Sequence, residues 1–427
     1  MHKKEFRILF LVLCSLSLTL NAQKLINSPY SRFNLGSLES EGSFRSIGMG
    51  GTSTGMRQSN TIYFLNPASY SSLDTNSFVF DFGLDYAFNN LSDNTTKFSS
   101  DDINFHHMII GFPIAKGFGF AAGVVPMSNG YYKIAETVTS TSPGYDANIG
   151  AYTTANAGTG GFNTYFLGTG LKLTKNFSAG INMTILSGQV IRTNELVFTD
   201  YYNVYNDNNT ESIQLRGLNF DYGLQYSAKL KKNYFFNAGI SVSASHNYHT
   251  NYNQLSYRYT AYGTRDTLTY ITNDATKTLI PATLRLGISF GKVNKFTAGI
   301  DYTQTNWSKS KIPGAAGYVA DSKSWKFGLE FIPDKYSNYS FLKRVEYRIG
   351  GHIGNDYLIV NTAQVKEFGA SIGIGIPLPR SQSMTNLFFD YSKRYGSSGT
   401  NLHTEEYYSF GISLNLHDLW FMKRKFD

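Results

Sequence analysis

The chain has 427 residues and a formal net charge of +8, and 15% of its residues are aromatic. Its basic residues are scattered along the sequence rather than clustered, which excludes a nucleic-acid-binding protein. Cys14 is the only cysteine, and it lies in an N-terminal apolar stretch, so disulfides and thiolate chemistry are excluded for the rest of the chain.

Residues 1–22 have the three parts of a secretory signal peptide. Lys3, Lys4 and Arg7 form a positive start, an apolar stretch follows over 8–20, and cleavage is predicted after Ala22. A membrane anchor is the weaker interpretation, because the apolar stretch is too short to span a bilayer. The sequence therefore predicts an exported protein.

Residues 23–74 differ from everything that follows them. They lack a long alternation of apolar and polar residues, and they contain a glycine-rich stretch from Gly48 to Gly55. Glycines allow tight backbone turns in a crowded space. We expect this segment to be an irregular hatch that fills the lumen of the structure formed by later residues.

From residue 75 onwards, apolar and polar residues alternate in about fourteen segments. Phe78, Phe80 and Phe82 fall on one face of the segment 77–89, and polar residues fall on the other. Each segment is near the length that a tilted strand needs to cross a bilayer. The sequence predicts an all-β protein, a transmembrane antiparallel β-barrel of about 14 strands over residues 75–416. The predicted strands are 76–90, 103–115, 117–128, 161–174, 176–194, 213–230, 233–248, 279–291, 294–307, 324–332, 344–355, 363–377, 385–395 and 405–416.

The connections between these segments alternate in length. Short turns such as 115–117 alternate with long polar loops, which are 129–160, 195–212, 249–278 and 308–323. Outer-membrane barrels have short periplasmic turns and longer external loops. This segregation favours an outer-membrane barrel over a soluble sandwich, and it places both chain termini in the periplasm.

Two motifs in the segment 23–74 resemble the FadL-type (OmpP/TodX-like) family of outer-membrane transport barrels. They are the glycine-rich stretch with Gly48, Gly50 and Gly51, and the motif Asn66-Pro67-Ala68 shortly before the first strand. The resemblance implies a fourteen-stranded barrel with an N-terminal hatch, and transport of long-chain fatty acids or other hydrophobic compounds. The alternative for these residues is a purely structural part in folding the hatch.

The predicted third strand, 117–128, contains Gly123 and Pro126. Proline cannot donate to a strand ladder, and glycine omits a packed side chain. In the family that the chain resembles, a kink in the third strand opens a lateral exit into the bilayer. Gly123 and Pro126 are therefore the candidates for a lateral opening; the alternative is a strand end that enters the loop 129–160.

Residues 417–427 are predicted to form a periplasmic tail. Its aromatic and basic residues either dock a partner protein or anchor the chain at the membrane interface. These residues are Trp420, Phe421, Lys423, Arg424 and Lys425. The tail and the segment 28–33 resemble uncharacterised outer-membrane proteins of Bacteroidota, which include subunits of secretion or membrane-assembly machines.

No residue pattern predicts an enzyme, a metal site or a cofactor. His106 and His107 are adjacent on a predicted strand, so we expect one ring to point outward and the other inward. Asp81, Asp85 and Asp221 lie on polar strand faces, which a polar lumen explains. The glycine-rich stretch lacks the Lys-Ser/Thr pair of a phosphate-binding loop.

The sequence favours two functions of different classes. The first is uptake of hydrophobic small molecules across the outer membrane of a Gram-negative, Bacteroidota-like bacterium. The second is a non-transporting accessory or scaffold barrel in an outer-membrane protein secretion or assembly complex. The expected partners are outer-membrane lipids, a hydrophobic ligand and the proteins of such a complex.

Overall fold

The computed structural model describes residues 28–92, 97–201, 203–313, 319–360, 362–379, 381–396 and 404–419. The predicted signal peptide lies outside these residues, and so do Trp420, Phe421, Lys423, Arg424 and Lys425 of the predicted tail. Within the described ranges the chain forms one antiparallel sheet, preceded by a segment of short helical turns.

The sheet has eighteen strands over the described residues. They are β1 (Ser37–Leu38), β2 (Ser77–Ser92), β3 (Lys97–Ala115), β4 (Phe118–Asn129), β5 (Tyr132–Val138), β6 (Tyr152–Lys172), β7 (Phe177–Phe198), β8 (Asn206–Lys229), β9 (Tyr234–Ser243), β10 (His246–Tyr259), β11 (Arg265–Ile280), β12 (Thr283–Lys292), β13 (Phe296–Thr305), β14 (Ser322–Phe331), β15 (Glu346–Val360), β16 (Ala363–Pro377), β17 (Met384–Tyr395) and β18 (Thr404–Leu419).

Fourteen of these strands close into a barrel, namely all except β1, β5, β10 and β11. The barrel closes because β18 pairs with β2, from Leu419 opposite Ser77 to Thr404 opposite Ser92. This confirms the predicted antiparallel β-barrel of 14 strands. The last strand extends to Leu419, three residues beyond the predicted end of the barrel at residue 416.

The alternation of residue types sets which face of each strand points to lipid. On β8, Tyr222 is 51% exposed and Leu224 is 54% exposed, whereas the next residue, Gln225, is 1% exposed. The same division separates outward from inward residues on β2 and β18. An apolar band therefore faces outward, and polar side chains and glycines face the lumen, as in outer-membrane barrels.

Several strands are longer than a membrane crossing requires. β6, β7 and β8 contain 21, 22 and 24 residues, whereas a tilted strand crosses a bilayer with about 9–11 residues. The additional residues extend the wall at the long-loop end of the barrel.

The predictions that residues 129–160 and 249–278 are loops are wrong, because both segments contain strands. β5 pairs with the start of β6, and β10 pairs with both β8 and β11. The segment 246–280 is rich in threonine and tyrosine, which favour strands. Its polarity suits a strand that is exposed to water beyond the membrane, and does not indicate a loop.

Residues 28–76 precede the first barrel strand and contain the two-residue strand β1 and short helical turns. They are the 3₁₀-helices η1 (Pro29–Arg32) and η2 (Pro67–Ser72), and the α-helix α1 (Phe44–Ile47). No helix in the described part of the chain is long and apolar enough to cross a membrane. Most side chains of this segment are buried, so it makes extensive contacts with the strands that follow it.

Candidate functional site

The motif Asn66-Pro67-Ala68 begins η2 and lies in a hollow formed by glycines of the wall. Asn66 caps η2, because its Oδ1 accepts a hydrogen bond from the Ala68 N–H at 3.2 Å, and its Nδ2 donates to the carbonyl oxygen of Thr54 at 2.9 Å. A Cβ atom at Gly180 of β7 would lie 2.5 Å from the Ala68 nitrogen, and one at Gly223 of β8 would lie 2.8 Å from Pro67 Cδ. The motif can approach the wall only because these strand residues lack side chains.

The glycine-rich stretch lies against a different part of the wall. A Cβ atom at Gly48 would lie 3.0 Å from the Cα of Gly373 on β16. One at Gly50 would lie 2.5 Å from the amide nitrogen of Gly351 on β15. Gly50 and Gly51 have φ angles of +68° and +86°, which glycine adopts without a side-chain clash. This stretch therefore packs backbone directly against backbone.

Inward-facing polar side chains of the strands hold the backbone between these two motifs. Asp301 on β13 accepts hydrogen bonds from the N–H groups of Ser53 and Thr54, both at 2.7 Å. Gln225 on β8 donates to the carbonyl oxygen of Met56 at 2.9 Å. These bonds satisfy backbone groups that would otherwise be buried without partners.

A buried ionic cluster joins α1 to β14 and β15. Arg45 lies 2.7 Å from Glu330 and 2.8 Å from Glu346, and Arg348 lies 2.8 Å and 2.5 Å from the same two carboxylates. All four side chains are 5% exposed or less. Burial alone would lower the pKa of Arg45, but the charges of Glu330 and Glu346 outweigh it and raise that pKa above its ordinary value. The four charges therefore compensate one another.

The ladder of hydrogen bonds between β3 and β4 is incomplete. Pairing stops at Met108 opposite Val124, although β3 continues back to Lys97. Beyond Val124, β4 pairs on this side with the two residues of β1 instead of with β3. We call the two edges that do not pair with each other, 97–107 of β3 and 125–129 of β4, the β3–β4 gap.

The two residues predicted for a lateral opening flank the point where this ladder stops. Gly123 is still paired, opposite Ile109 of β3. Pro126 lies two residues beyond the last pair, opposite Asn163 of β6, and a register shift follows between Pro126 and Ser128. Having no N–H, Pro126 cannot donate a hydrogen bond toward β3.

A cavity of about 700 Å³ lies behind the β3–β4 gap. Its wall includes both edges of the gap, with Phe105 and His106 from β3 and Val125 and Met127 from β4. This volume is in the range of small-molecule sites. The other apolar residues of the wall are Leu38, Phe64, Leu65, Phe166, Leu186, Tyr248, Ile280 and Trp307.

The charged groups in the wall of this cavity are mostly acidic. Arg285 is the only lysine or arginine among the described residues that line the cavity, and it is paired with Glu41. Glu39, Asp85 and Asp221 also line the cavity, and none of them has an ion-pair partner within the described ranges. The described wall of the cavity therefore places carboxyl groups without direct ion pairs next to apolar side chains, and its one guanidinium is already paired.

The two glutamates of the N-terminal segment respond differently to this environment. Burial in the lumen, together with the charge of Asp102, raises the pKa of Glu39 against the opposing charge of Arg394. Burial would also raise the pKa of Glu41, but the charges of Arg285 and Lys326 outweigh it and lower that pKa to about 2. Glu41 is therefore ionised, whereas Glu39 binds a proton more readily than a glutamate in water.

The expectation that His106 and His107 point to opposite sides of the strand is wrong. A β-bulge adds one residue to β3, because residues 83 and 84 of β2 pair with His107 and Phe105 and skip His106. Both rings are therefore inward and buried, with their Nδ1 atoms 2.9 Å apart. His107 Nε2 lies 3.2 Å from Asp81. Among the described residues there is no group of three or more His, Cys, Asp or Glu side chains that could hold a metal ion.

An apolar cluster fills the lumen toward the long-loop end. It includes Tyr30 and Leu35 of the N-terminal segment together with Trp307 and Tyr357 of the wall, and all four are buried. The rings of Trp307 and Tyr357 are 4.8 Å apart, and the Tyr357 hydroxyl donates to the carbonyl oxygen of Gly36 at 2.6 Å. Residues 28–38 therefore reach the end of the barrel opposite to the one where β2 begins.

Sequence reasoning missed the ionic cluster, although one signal for it exists. Glu330 lies between the exposed apolar residues at 329 and 331. Arg348 likewise lies between the exposed apolar residues at 347 and 349. This alternation places both charges on the inward face. Their partner Arg45 is 285 residues away from Glu330, and no local pattern connects residues at that separation.

Three solved structures are similar to this chain. The toluene transporter TodX of Pseudomonas putida is 14% identical with a TM-score of 0.55, and the match covers 90% of this chain and 99% of TodX. The toluene transporter TbuX of Ralstonia pickettii is 14% identical with a TM-score of 0.55, covering 89% and 98%. A FadL homologue of Pseudomonas aeruginosa is 12% identical with a TM-score of 0.55, covering 89% and 99%. This likeness establishes the fold of an outer-membrane β-barrel. No curated protein matches the sequence.

A protein-family model also matches the sequence. The model is that of BamG, and the match runs over residues 1–427, which is the whole chain. It covers the N-terminal segment and every barrel strand together. The chain therefore belongs to the BamG family.

Proposed function

We propose that this protein passes hydrophobic small molecules from the lumen of the barrel into the outer membrane through the β3–β4 gap. The observation that carries the proposal is the cavity of about 700 Å³, whose wall includes both edges of the gap. An apolar molecule in this cavity has a short lateral path to lipid and need not leave through a polar end of the barrel. Similarity in fold to the toluene transporters TodX and TbuX supports the proposal.

In this proposal, residues 23–74 act as the hatch of the barrel. The described part of the segment is tied to the wall through Asn66, Arg45 and the apolar cluster at the long-loop end. No chemical step or cofactor is required, because moving apolar surface from water to the cavity and then to lipid supplies the driving force. The proposed location is the outer membrane of a Gram-negative, Bacteroidota-like bacterium.

Replacing Pro126 with valine is expected to reduce uptake several-fold. Valine restores an N–H group at the edge of the gap, so the ladder between β3 and β4 can extend beyond Val124 and narrow the opening. Uptake of the uncharged dye N-phenyl-1-naphthylamine by cells that produce the protein measures the effect. Heat-modifiable gel mobility reports the amount of folded barrel in each strain.

The matched control for this variant is Pro113→Val. Pro113 is on β3 and pairs with Gly119 in the part of the β3–β4 ladder that is already formed, so the same chemical change there should leave uptake at the wild-type level. Normal uptake in the Pro126→Val protein, at equal amounts of folded barrel, would show that Pro126 is not needed for the lateral route.

The cavity should favour an uncharged ligand over a fatty-acid anion of the same length. The guanidinium of Arg285, the only lysine or arginine in the described wall, is already paired with Glu41, so it is not free to bind a ligand carboxylate. Glu39, Asp85 and Asp221 attract no anion, and in their ionised forms they would repel one. Dodecanol should therefore displace a bound fluorescent probe from the purified protein at lower concentration than dodecanoate does.

Two pairs of variants test this electrostatic origin. Asp85→Asn with Asp221→Asn should narrow the difference between the displacing concentrations of dodecanol and dodecanoate, because two groups that can carry a negative charge leave the cavity wall. Asp101→Asn with Asp207→Asn removes two exposed carboxylates outside the cavity wall and should not change that difference. If dodecanol and dodecanoate displace the probe from the wild type at the same concentration, the expected preference for an uncharged ligand is wrong.

Membership of the BamG family favours a second function, which is an accessory or scaffold subunit of an outer-membrane assembly complex. In this alternative the predicted tail, residues 417–427, docks a partner in the periplasm through the part that follows β18. Removing 420–427 should then release a protein that copurifies in mild detergent, and dye uptake should be absent from the start. An unchanged set of copurifying proteins would contradict docking by the tail.

A further inference from the structure

The short-turn end of the barrel carries many basic side chains on one side. Four turns, 172–177, 229–234, 292–296 and 332–345, contain nine lysines and one arginine but only one acidic residue, Asp334. Nine of the ten basic side chains are exposed, and that of Lys292 is half-buried. We call these four turns the basic arc. These ten positive charges are opposed within the four turns by one negative charge, that of the exposed Asp334.

The basic arc is one continuous surface. Its turns follow one another around the barrel, because β6, β7, β8, β9, β12, β13, β14 and β15 are neighbours in that order. Asn176 Nδ2 donates to the carbonyl oxygen of Ser227 at 2.9 Å, which joins the first turn to the end of β8. Val293 donates its N–H to the carbonyl oxygen of Asn233 at 3.0 Å, and Asn294 Nδ2 donates to the Tyr336 hydroxyl at 3.1 Å. The turns that carry the basic residues are therefore joined to one another.

The basic arc adjoins rings that face lipid. The ammonium group of Lys292 lies 5.6 Å from the centre of the Tyr234 ring, which stacks at 5.7 Å on the outward ring of Phe290. The guanidinium of Arg344 lies 5.5 Å from the ring of Phe341, an exposed residue. These positive groups are therefore at the boundary between the apolar band and water, where aromatic rings mark the level of the lipid headgroups.

Exposed apolar side chains accompany the charges in each turn. Leu173, Leu230, Val293 and Leu342 are all exposed, one in each of the four turns. An apolar side chain next to an ammonium group suits the edge of a bilayer, where acyl chains meet headgroups. A protein partner would need a footprint curved around the outer rim of the barrel, whereas the lipid around a barrel already has that shape.

We propose that the basic arc binds the anionic headgroups of phospholipids in the periplasmic leaflet of the outer membrane. Short turns of outer-membrane barrels lie on the periplasmic side, and lysines near a membrane surface are attracted to anionic lipid. Binding along these four consecutive turns would give this part of the rim a preferred lipid neighbourhood. This inference is independent of the proposed transport function.

Native mass spectrometry of the purified full-length protein tests the proposal. The protein is mixed in non-ionic detergent with equal amounts of phosphatidylglycerol and phosphatidylethanolamine of identical acyl chains. The wild type should retain phosphatidylglycerol over phosphatidylethanolamine by roughly fivefold or more. The quadruple variant Lys231→Gln, Lys232→Gln, Lys292→Gln, Lys295→Gln should lose most of this preference.

The matched control places glutamine at four exposed lysines of the long-loop end, which are Lys277, Lys309, Lys311 and Lys323. This control should keep the preference for phosphatidylglycerol, and heat-modifiable mobility confirms that both variants are folded. Equal retention of the two lipids by the wild type overturns the proposal. An equal loss of the preference for phosphatidylglycerol in the two quadruple variants also overturns it. A third contradicting result is that the arc variant keeps its lipid preference but loses a copurifying protein.

Discussion

Replacing Arg45 with methionine should destabilise the folded protein by about 3–5 kcal/mol, because it breaks a buried ion pair. The side chain of Arg45 is 4% exposed and lies within 2.8 Å of both Glu330 and Glu346. Without it, two buried carboxylates share the single charge of Arg348. Urea unfolding of the detergent-solubilised barrel, followed by tryptophan fluorescence, measures the change in the free energy of unfolding.

The control for Arg45→Met is Arg258→Met. Arg258 pairs with Asp266 at 2.9 Å, but both side chains are more than 40% exposed, so its loss should cost about 0–1 kcal/mol. Adding Glu330→Gln to Arg45→Met should recover part of the lost stability, since one uncompensated charge is then removed. Similar losses for Arg45→Met and Arg258→Met would mean that α1 is not held by the ionic cluster.

Replacing Gly50 with alanine should cost about 2–5 kcal/mol in the free energy of unfolding. One part of the cost is backbone strain, since Gly50 has a φ of +68°. The other part is steric, since the new Cβ would lie 2.5 Å from the amide nitrogen of Gly351 and 2.6 Å from its carbonyl oxygen. Neither β15 nor the glycine-rich stretch can move away without breaking its own contacts.

Gly144→Ala separates these two parts. Gly144 has a φ of +87°, but nothing lies within 4 Å of the Cβ that alanine would add, so only strain of about 1–2 kcal/mol is expected. The difference between Gly50→Ala and Gly144→Ala then measures how closely the glycine-rich stretch packs on the wall. No difference between the two variants would contradict the backbone-to-backbone contact at Gly50.

The barrel could be predicted from the sequence because its strands follow a local rule. Phe78, Phe80 and Phe82 point outward as the alternation indicates, and each predicted barrel strand overlaps an observed one. The rule has one visible failure at His106, where the bulge in β3 turns two adjacent rings to the same side. A bulge depends on the pairing of two strands, so the sequence of one strand does not reveal it.

The β3–β4 gap could be predicted only in part. Pro126 and Gly123 indicated a weak point in the ladder, and both lie beside the place where pairing stops. The extent of the gap along β4 depends on β1, which pairs with Ser128 and Asn129 in place of β3. That contact joins residues about ninety positions apart, and so does not follow from any local pattern.

The pairing of charges in the candidate site also could not be predicted from sequence patterns. Alternation places Asp85, Asp221 and Arg285 on inward faces, but it does not say which charges are paired. The pairing of Arg285 with Glu41, a residue of the N-terminal segment, leaves no unpaired lysine or arginine among the described residues of the cavity wall. The expected preference for uncharged ligands follows from that single contact.

Photolabelling with an uncharged alkyl diazirine tests the lateral route most directly. The protein is labelled in lipid nanodiscs, and mass spectrometry maps the modified residues with and without an excess of unlabelled alkane. The proposed function predicts adducts at Phe64, Val125 and Met127 in the cavity wall, and the excess of alkane should suppress them. Adducts confined to outward residues such as Leu224 and Ile412, and insensitive to competing alkane, would contradict passage through the cavity and the β3–β4 gap.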